Sequence, residues 1–275
     1  MEINESMALA LSIKYAKKFG FISKSFFWDH FCKKSKTNNF RYWNAFLNCG
    51  AFVPYKELQG GAEEYYHLNL KSVLVNKDSI EPVGKRTPLY LYHDEQVMRF
   101  IYSLESQNLI KTFWTELELR SNQLTSYKIL GGNTSKIPDL VFDLNCPSEI
   151  FRSALEVEIT RKSNDRYFKS FLNYSSLSNL DFVLYGTSHE RTHLAIKSEA
   201  SKGYFGGLSK KLGFYSISDF QSKSASCDLE FNSRKIPIEN FFKNIIALKA
   251  EKNEKTREKD GTRVPSHLIK NEGSL

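Results

Sequence analysis

The chain has 275 residues, 41% hydrophobic and 25% charged, an ordinary globular mix with enough apolar mass for one large domain or two small ones. Lys and Arg number 39 against 31 Asp and Glu, and the net charge of +8 points to a polyanionic partner. Cys32, Cys49, Cys146 and Cys227 are too scattered for a zinc knuckle or a disulfide scaffold, which implies a reduced, cytoplasmic setting. Glu2 and Glu5 stand where a signal peptide carries basic residues, and no apolar run is long enough to predict a transmembrane helix.

The first ninety residues read as three helices and a hairpin. Leu9, Ile13, Ala16 and Phe19 recur at helical spacing over 6–19, and Gly20 stops that helix. Ser23 is the N-cap candidate for a second helix, KSFFWDHFC, and Thr37 for a third, NNFRYWNAFLN. In the third, Phe40, Trp43, Phe46 and Leu47 share one face, and Gly50 closes the helix. AFVPYKELQGGAEEYYHLNL then gives two extended runs around a Gly60-Gly61 turn. Three helices followed by a hairpin of these lengths predict a winged helix-turn-helix.

Residues 1–90 carry 13 Lys/Arg against 8 Asp/Glu, the footprint of a nucleic-acid partner. Mainly off the apolar face of the third helix lie Asn38, Asn39, Arg41, Asn44 and Asn48, residue types that read adenine and guanine edges. Lys33, Lys34 and Lys36 precede them as candidate phosphate contacts. A helical unit used for protein contacts is the alternative. Tyr65, Tyr66 and His67 on the second hairpin strand are expected to pack.

Residues 76–90, with Pro82, Gly84 and Pro88, read as a linker. The second half, 91–248, begins with a helix over 93–107. LIKTFWTELELRS (109–121), PDLVFDL (138–144), ALEVEIT (154–160) and DFVLYGT (181–187) read as strands. NDRYFKSFLNYSSLSN supplies a helix between the last two, with Tyr167, Phe171 and Tyr174 near one face. Three consecutive strands point to a mixed sheet flanked by helices, an α+β or α/β domain. Residues 249–275, charged and poor in large apolar groups, are expected to form a mobile tail.

The informative feature is acid inside strands, where Asp and Glu are poor formers. In ALEVEIT, Glu156 and Glu158 share a face opposite Leu155, Val157 and Ile159. In PDLVFDL, Asp139 and Asp143 share a face; in TELELRS, Glu116 and Glu118 do so. Carboxylates from three neighbouring strands repel one another, and Mg²⁺ or Mn²⁺, which take hard oxygen ligands, would relieve that repulsion. The alternative is a solvated sheet face with ordinary amphipathic alternation.

Pro138-Asp139 followed by Glu156-Val157-Glu158 resembles the PD-(D/E)xK nuclease motif, and the element order is similar to the restriction-endonuclease-like core. Glu158 occupies the motif's lysine position; Lys162, Arg166 or Lys169 could supply the positive charge instead. With the N-terminal helices, TELE, PD and LEVEITRKSNDRY in sequence, residues 6–187 resemble the replication-relaxation superfamily, specifically the MobC-type relaxases of mobilizable plasmids. That resemblance implies a metal-dependent nick at an origin of transfer in double-stranded DNA. Accessory mobilization proteins, a coupling protein or a second copy of the chain are the further partners it implies. Carried over, Asp139 bridges the metal, Glu156 completes its coordination, and Glu158 assists or orients water. Glu116 is a weaker carry-over as metal ligand, with Glu118 competing for the role, and a basic residue near Lys162 stabilises developing charge. The cluster of Arg161, Lys162, Arg166 and Lys169 would flank DNA phosphates near the metal, or else form a solvated helix face. A double-strand endonuclease and a DNA-binding regulator without catalysis are the alternatives.

The chain lacks the His-x-His of the tyrosine-dependent relaxases. His189-Glu190-Arg191-Thr192-His193 matches the zinc-protease signature, but its polar surroundings favour a surface helix.

Overall fold

Capping side chains set the first two helices. The computed structural model describes residues 3–32, 36–55, 63–69, 87–147, 149–202, 204–205 and 207–259. Asn4 accepts a hydrogen bond from the Met7 N–H and opens α1 (Glu5–Phe19), which ends at Gly20 with φ 83°. Ser23 accepts from the Phe26 N–H and opens α2 (Lys24–Phe31), as expected. The third helix, α3 (Lys36–Asn48), begins earlier than its expected cap, so Thr37 lies within it. Trp43 and Phe46 of α3 are buried, but Phe40 and Leu47 are exposed, so its inward face is narrower than expected.

The expected hairpin is present as β2 (Phe52–Pro54) and β3 (Tyr65–Leu68), with β1 (Ile22–Ser23) completing an antiparallel sheet ordered β1-β3-β2. Tyr65 and Tyr66 are buried there. The expected Gly60-Gly61 turn, Lys33 and Lys34, the linker segment 76–86 and the tail segment 260–275 lie outside the described residues.

Thr87 caps α4 (Pro88–Glu105), whose first residue is a proline suited to that position. The helix therefore begins inside the expected linker. After β4 (Ile110–Thr115) the chain departs from the expected strand: 116–121 form α5 (Glu116–Ser121). Thr115 and Glu118 form a reciprocal capping box, Thr115 Oγ1 accepting from the Glu118 N–H and Glu118 Oε2 from the Thr115 N–H at 2.9 Å. Glu116 and Glu118 are thus residues of a helical first turn, not neighbours on a strand face.

The remaining elements are α6 (Gln123–Leu130), β5 (Leu140–Leu144), β6 (Arg152–Glu158), α7 (Asn164–Ser175), β7 (Phe182–Thr187), α8 (Glu190–Ala200) and β8 (Leu212–Ser216). They are followed by α9 (Ile217–Lys223), β9 (Asp228–Phe231), β10 (Arg234–Pro237) and α10 (Ile238–Lys259). The last helix carries the chain through 249–259, which were expected to belong to the tail.

The protein has a mixed α/β architecture: N-terminal helices precede a mixed sheet flanked by helices. The sheet runs β10-β9-β8-β7-β6-β5-β4. Its centre, β6-β7-β8, is parallel, and the outer pairs are antiparallel. Both faces are covered. Leu140, Phe142, Leu155, Val157 and Leu184 pack with Phe100, Phe220 and Phe242 on one side. Val141, Ala154, Val183 and Tyr185 pack with Tyr167, Phe171 and Ile196 on the other. Every residue of β6 is buried, so its glutamates do not lie on a solvated face.

The N-terminal helices join the first of these cores. Tyr15 of α1 stacks with Phe113 of β4 at 6.3 Å, and Phe26 of α2 meets Tyr102 of α4 edge-on at 5.6 Å. Arg99 of α4 ties the same junction, reaching Asp29 at 2.6 Å, Glu95 at 2.8 Å and Ser25 at 3.0 Å. Among the described residues no helix is long and apolar enough to cross a membrane.

Candidate active site

The site is assembled where β5 begins and β6 ends. The register that sets Val141 against Ala154 brings Asp139 toward Glu156. Asp139 Oδ2 accepts from the Val157 N–H at 2.7 Å and meets His93 Nε2 at 3.1 Å. His93 comes from α4 and is held on its other nitrogen by Asp94, 2.9 Å away. The Asp139 backbone carbonyl accepts from the Glu116 N–H, which fixes the start of α5 beside it.

Glu156 lies behind Asp139 and is 1% exposed. Its Oε2 is 2.8 Å from Lys136 Nζ, and its Oε1 accepts a hydrogen bond from the Tyr174 hydroxyl of α7. Lys136 Nζ also faces Asp139 Oδ1 at 3.9 Å. Glu158, at the end of β6, pairs with Lys162 at 2.6 Å. Glu116 pairs with Arg120 one turn along α5, at 2.8 Å from Nε.

These contacts set the charge states. Burial works to raise the Asp139 carboxyl, but the charge and hydrogen bond of His93, then Lys136 and the Val157 amide, hold it well below the usual range. Burial and then repulsion from Asp139 push Glu156 up to about 7, against the attraction of Lys136. Burial likewise raises Glu158, opposed by Lys162. His93 is disfavoured as a cation by burial, yet Asp139 and Asp94 outweigh this and raise it to about 11. Lys136 follows the same balance, burial being overcome by Glu156 and Asp139, so it remains an ammonium.

A cleft of about 620 Å³ opens over this arrangement. Asp139 and Glu158 border it, with Lys136, Lys162, Arg166 and Lys169 on its walls. Glu116 and Arg120 of α5 and His93 of α4 also line it. Arg166 and Lys169 are exposed on α7; Lys169 pairs with Asp165 at 2.9 Å. Asp139, Glu158, Lys162, Arg166 and Lys169 therefore meet at one place, with Glu156 beneath it.

Asp143 does not join them. It is bound on both oxygens by Arg152, at 2.6 and 2.8 Å, and this buried pair is a structural element of the sheet. On α3, Arg41 is exposed and pairs with Glu5 at 3.1 Å, and Asn44 is exposed. Asn39 is half-buried with its Oδ1 shut away from solvent. The side chains of Lys36 and Asn38 lie outside the described set.

His93, Lys136 and the hydroxyl of Tyr174 are the participants that the strand pattern does not reveal. His93 and Lys136 stand on α4 and in the loop before β5, outside any acidic alternation. Tyr174 was legible as a core face, but not as a partner of Glu156.

Among the described residues no three His, Cys, Asp or Glu side chains are grouped as a metal cage. Of the HExxH histidines, His189 precedes α8, while His193 stacks on Phe214 at 4.7 Å with its Nε2 3.4 Å from Glu230. No family model matches the chain, and a search of curated proteins finds no significant match.

Proposed function

We propose that the chain is a metal-dependent DNA endonuclease that nicks one strand, a relaxase-like activity at a plasmid origin of transfer. In this reading the N-terminal helices and small sheet act as a winged helix, and the larger sheet as a restriction-endonuclease-like core. The observation that carries it is the shared cleft, lined by Asp139, just before β5, and Glu158, at the end of the neighbouring β6, together with Lys136, Lys162, Arg166 and Lys169. Phosphodiester cleavage needs both: anionic oxygens to hold a cation or activate water, and positive charge for the phosphate. The position is also one that α/β sheets use for ligands, at the carboxyl ends of parallel strands, here β6 and β7.

The donor set fits Mg²⁺ or Mn²⁺ by its chemistry, since Asp139, Glu156, Glu158 and Glu116 offer only hard oxygens. Asp139 is held in place by Val157 and His93 through one oxygen. A bound cation would supply Lewis acidity and a more acidic water. Asp139 and Glu156 would hold it, Glu158 would orient the attacking water, and Lys162 would stabilise charge on the phosphorane. Glu116 is the outlying donor, reached from α5. Arg166 and Lys169 would take DNA phosphates, and Arg41 and Asn44 of α3 would contact the duplex; Lys34, Lys36, Asn38 and Asn39 belong to the same proposed set of DNA contacts. A cytoplasmic setting, a second copy of the chain and accessory mobilization or coupling proteins as partners belong to the same reading.

One observation favours a second reading, a DNA-binding regulator without catalysis: Asp139, Glu156 and Glu158 are each already matched by a cationic side chain. The test is to incubate the protein with supercoiled DNA carrying its own genetic neighbourhood, vary Mg²⁺ and Mn²⁺, and resolve product topology on a gel. Open circles that require metal support nicking. Linear product points to a double-strand endonuclease, and retarded but uncut DNA to the regulator.

A further inference from the structure

Asp139, just before β5, and Glu156, on β6, are largely buried carboxylates, and the ammonium of Lys136 reaches both. Lys136 Nζ is 2.8 Å from Glu156 and 3.9 Å from Asp139. His93 meets Asp139 alone, at 3.1 Å from Oδ2, so Lys136 is the cation shared by the two carboxylates and occupies the place where a divalent cation would meet both. Lys162 differs. It contacts Glu158, four residues away in its own segment.

The backbone of Lys136 is held by Thr134, while its side chain reaches the cleft. Thr134 Oγ1 accepts from the Lys136 N–H at 3.1 Å and donates to the Lys136 carbonyl at 2.8 Å. The same hydroxyl lies 3.2 Å from Asn173 of α7, tying the loop to the sheet's helical cover. The side chain is 24% exposed and lines the cleft, so an ammonium leaving the carboxylates has solvent and the DNA-facing walls within reach.

Resting on the endonuclease reading, we propose that Lys136 is the resident counter-ion of this site, which a divalent cation must displace from between Asp139 and Glu156, turning the ammonium into the cleft toward the substrate phosphate. Lys136 thereby takes the part that the motif's lysine would play at the position held by Glu158.

The test measures Mn²⁺ binding to the full chain without DNA, by calorimetry and by the paramagnetic resonance signal of free Mn²⁺. Lys136→Met is expected to bind Mn²⁺ about tenfold more tightly than wild type, because the competing charge is gone. Lys136→Arg should remain near wild type, Lys162→Met should change less than Lys136→Met, and Asp139→Asn should lose binding. Unchanged or weaker binding by Lys136→Met overturns the displacement while leaving the metal site standing. Absence of binding in wild type and Lys136→Met alike overturns the metal site and this proposal together. A second measurement keeps the wild-type side chain in place: acetylation of Lys136, followed by mass spectrometry, should be severalfold faster with Mn²⁺ than without. Equal labelling rates in a chain that binds Mn²⁺ count against displacement, whether or not Lys136→Met folds.

Discussion

The carboxylate of Asp139 accepts a 2.7 Å hydrogen bond from the backbone N–H of Val157, the residue between Glu156 and Glu158. One contact thus locks the acidic residue that leads into β5 onto the acidic end of β6. Asp139→Ala should therefore have two consequences. Loss of the buried acceptor leaves the Val157 N–H without its partner and should cost about 1–3 kcal/mol of stability, read by urea unfolding. Loss of the proposed metal ligand should slow DNA nicking by about a thousandfold, or about 4 kcal/mol of barrier.

The pH dependence of stability should carry the signature of the same cluster. Burial lowers His93, but Asp139 and Asp94 raise it from 6.5 to about 11 in the folded chain. Its contribution is fully present below pH 6.5 and is lost as pH climbs toward 11. Glu156 acts in the same direction in a lower window. Folding raises it from 4.5 to about 7, so the folded state binds its proton more tightly and stability falls as pH rises through that interval. Asp139 acts oppositely, stabilising the fold above its ordinary value of 3.8 and losing that contribution on acidification. Calorimetry should show Tm falling in the alkaline range, with a shallower fall in His93→Gln. Identical slopes for the two proteins would contradict the His93 assignment.

Arg152 is expected to matter for stability and not for chemistry. Its guanidinium holds both Asp143 oxygens, donates to the Ile129 carbonyl at 2.6 Å and lies 5.2 Å from the centre of the Trp114 ring. Arg152→Ala would leave Asp143 buried without its charge partner and should cost about 3–5 kcal/mol in a denaturant titration. A loss below about 1 kcal/mol would show that the pair is not the sheet's anchor.

Thr115→Ala should remove one side of the capping box at the start of α5 and cost about 1 kcal/mol in the same titration. Because Glu116 borders the cleft from that turn, the substitution should also loosen this end of the site.

The cationic wall on α7 is testable through salt. Arg166→Ala combined with Lys169→Ala should weaken binding across DNA sequences. It should also reduce the slope of log affinity against log salt by about 2, one for each phosphate that is no longer neutralised. An unchanged slope would place DNA elsewhere.

The start of α2 was legible in its cap, Ser23, whereas Thr37 misled, lying inside α3, and Thr87, the cap of α4, sits in a stretch whose prolines and glycine read as a linker. The strand β6 and the common face of Glu156 and Glu158 followed from alternation alone. TELELRS misled because four alternating residues satisfy both a strand and the first turn of a helix. The spacing of Thr115 and Glu118 is the capping-box signal that decides between them, and the structure uses it. Burial of the glutamate face was not legible, since it depends on α7 and α8 folding back over the sheet. The pairing of His93 with Asp139 spans 46 residues and has no local pattern. Lys136 also lay outside the motif, because a charge partner can approach a carboxylate from any segment that tertiary packing brings near.

The most direct measurement compares wild type and Asp139→Ala, each confirmed as folded, for conversion of a supercoiled cognate plasmid with Mg²⁺ or Mn²⁺. Metal-dependent open circles from wild type, with the variant slower by about a thousandfold, are the expected result. Equal rates of conversion by the two proteins, or none by wild type with either metal, would contradict the assignment of Asp139 as the centre of a nuclease site.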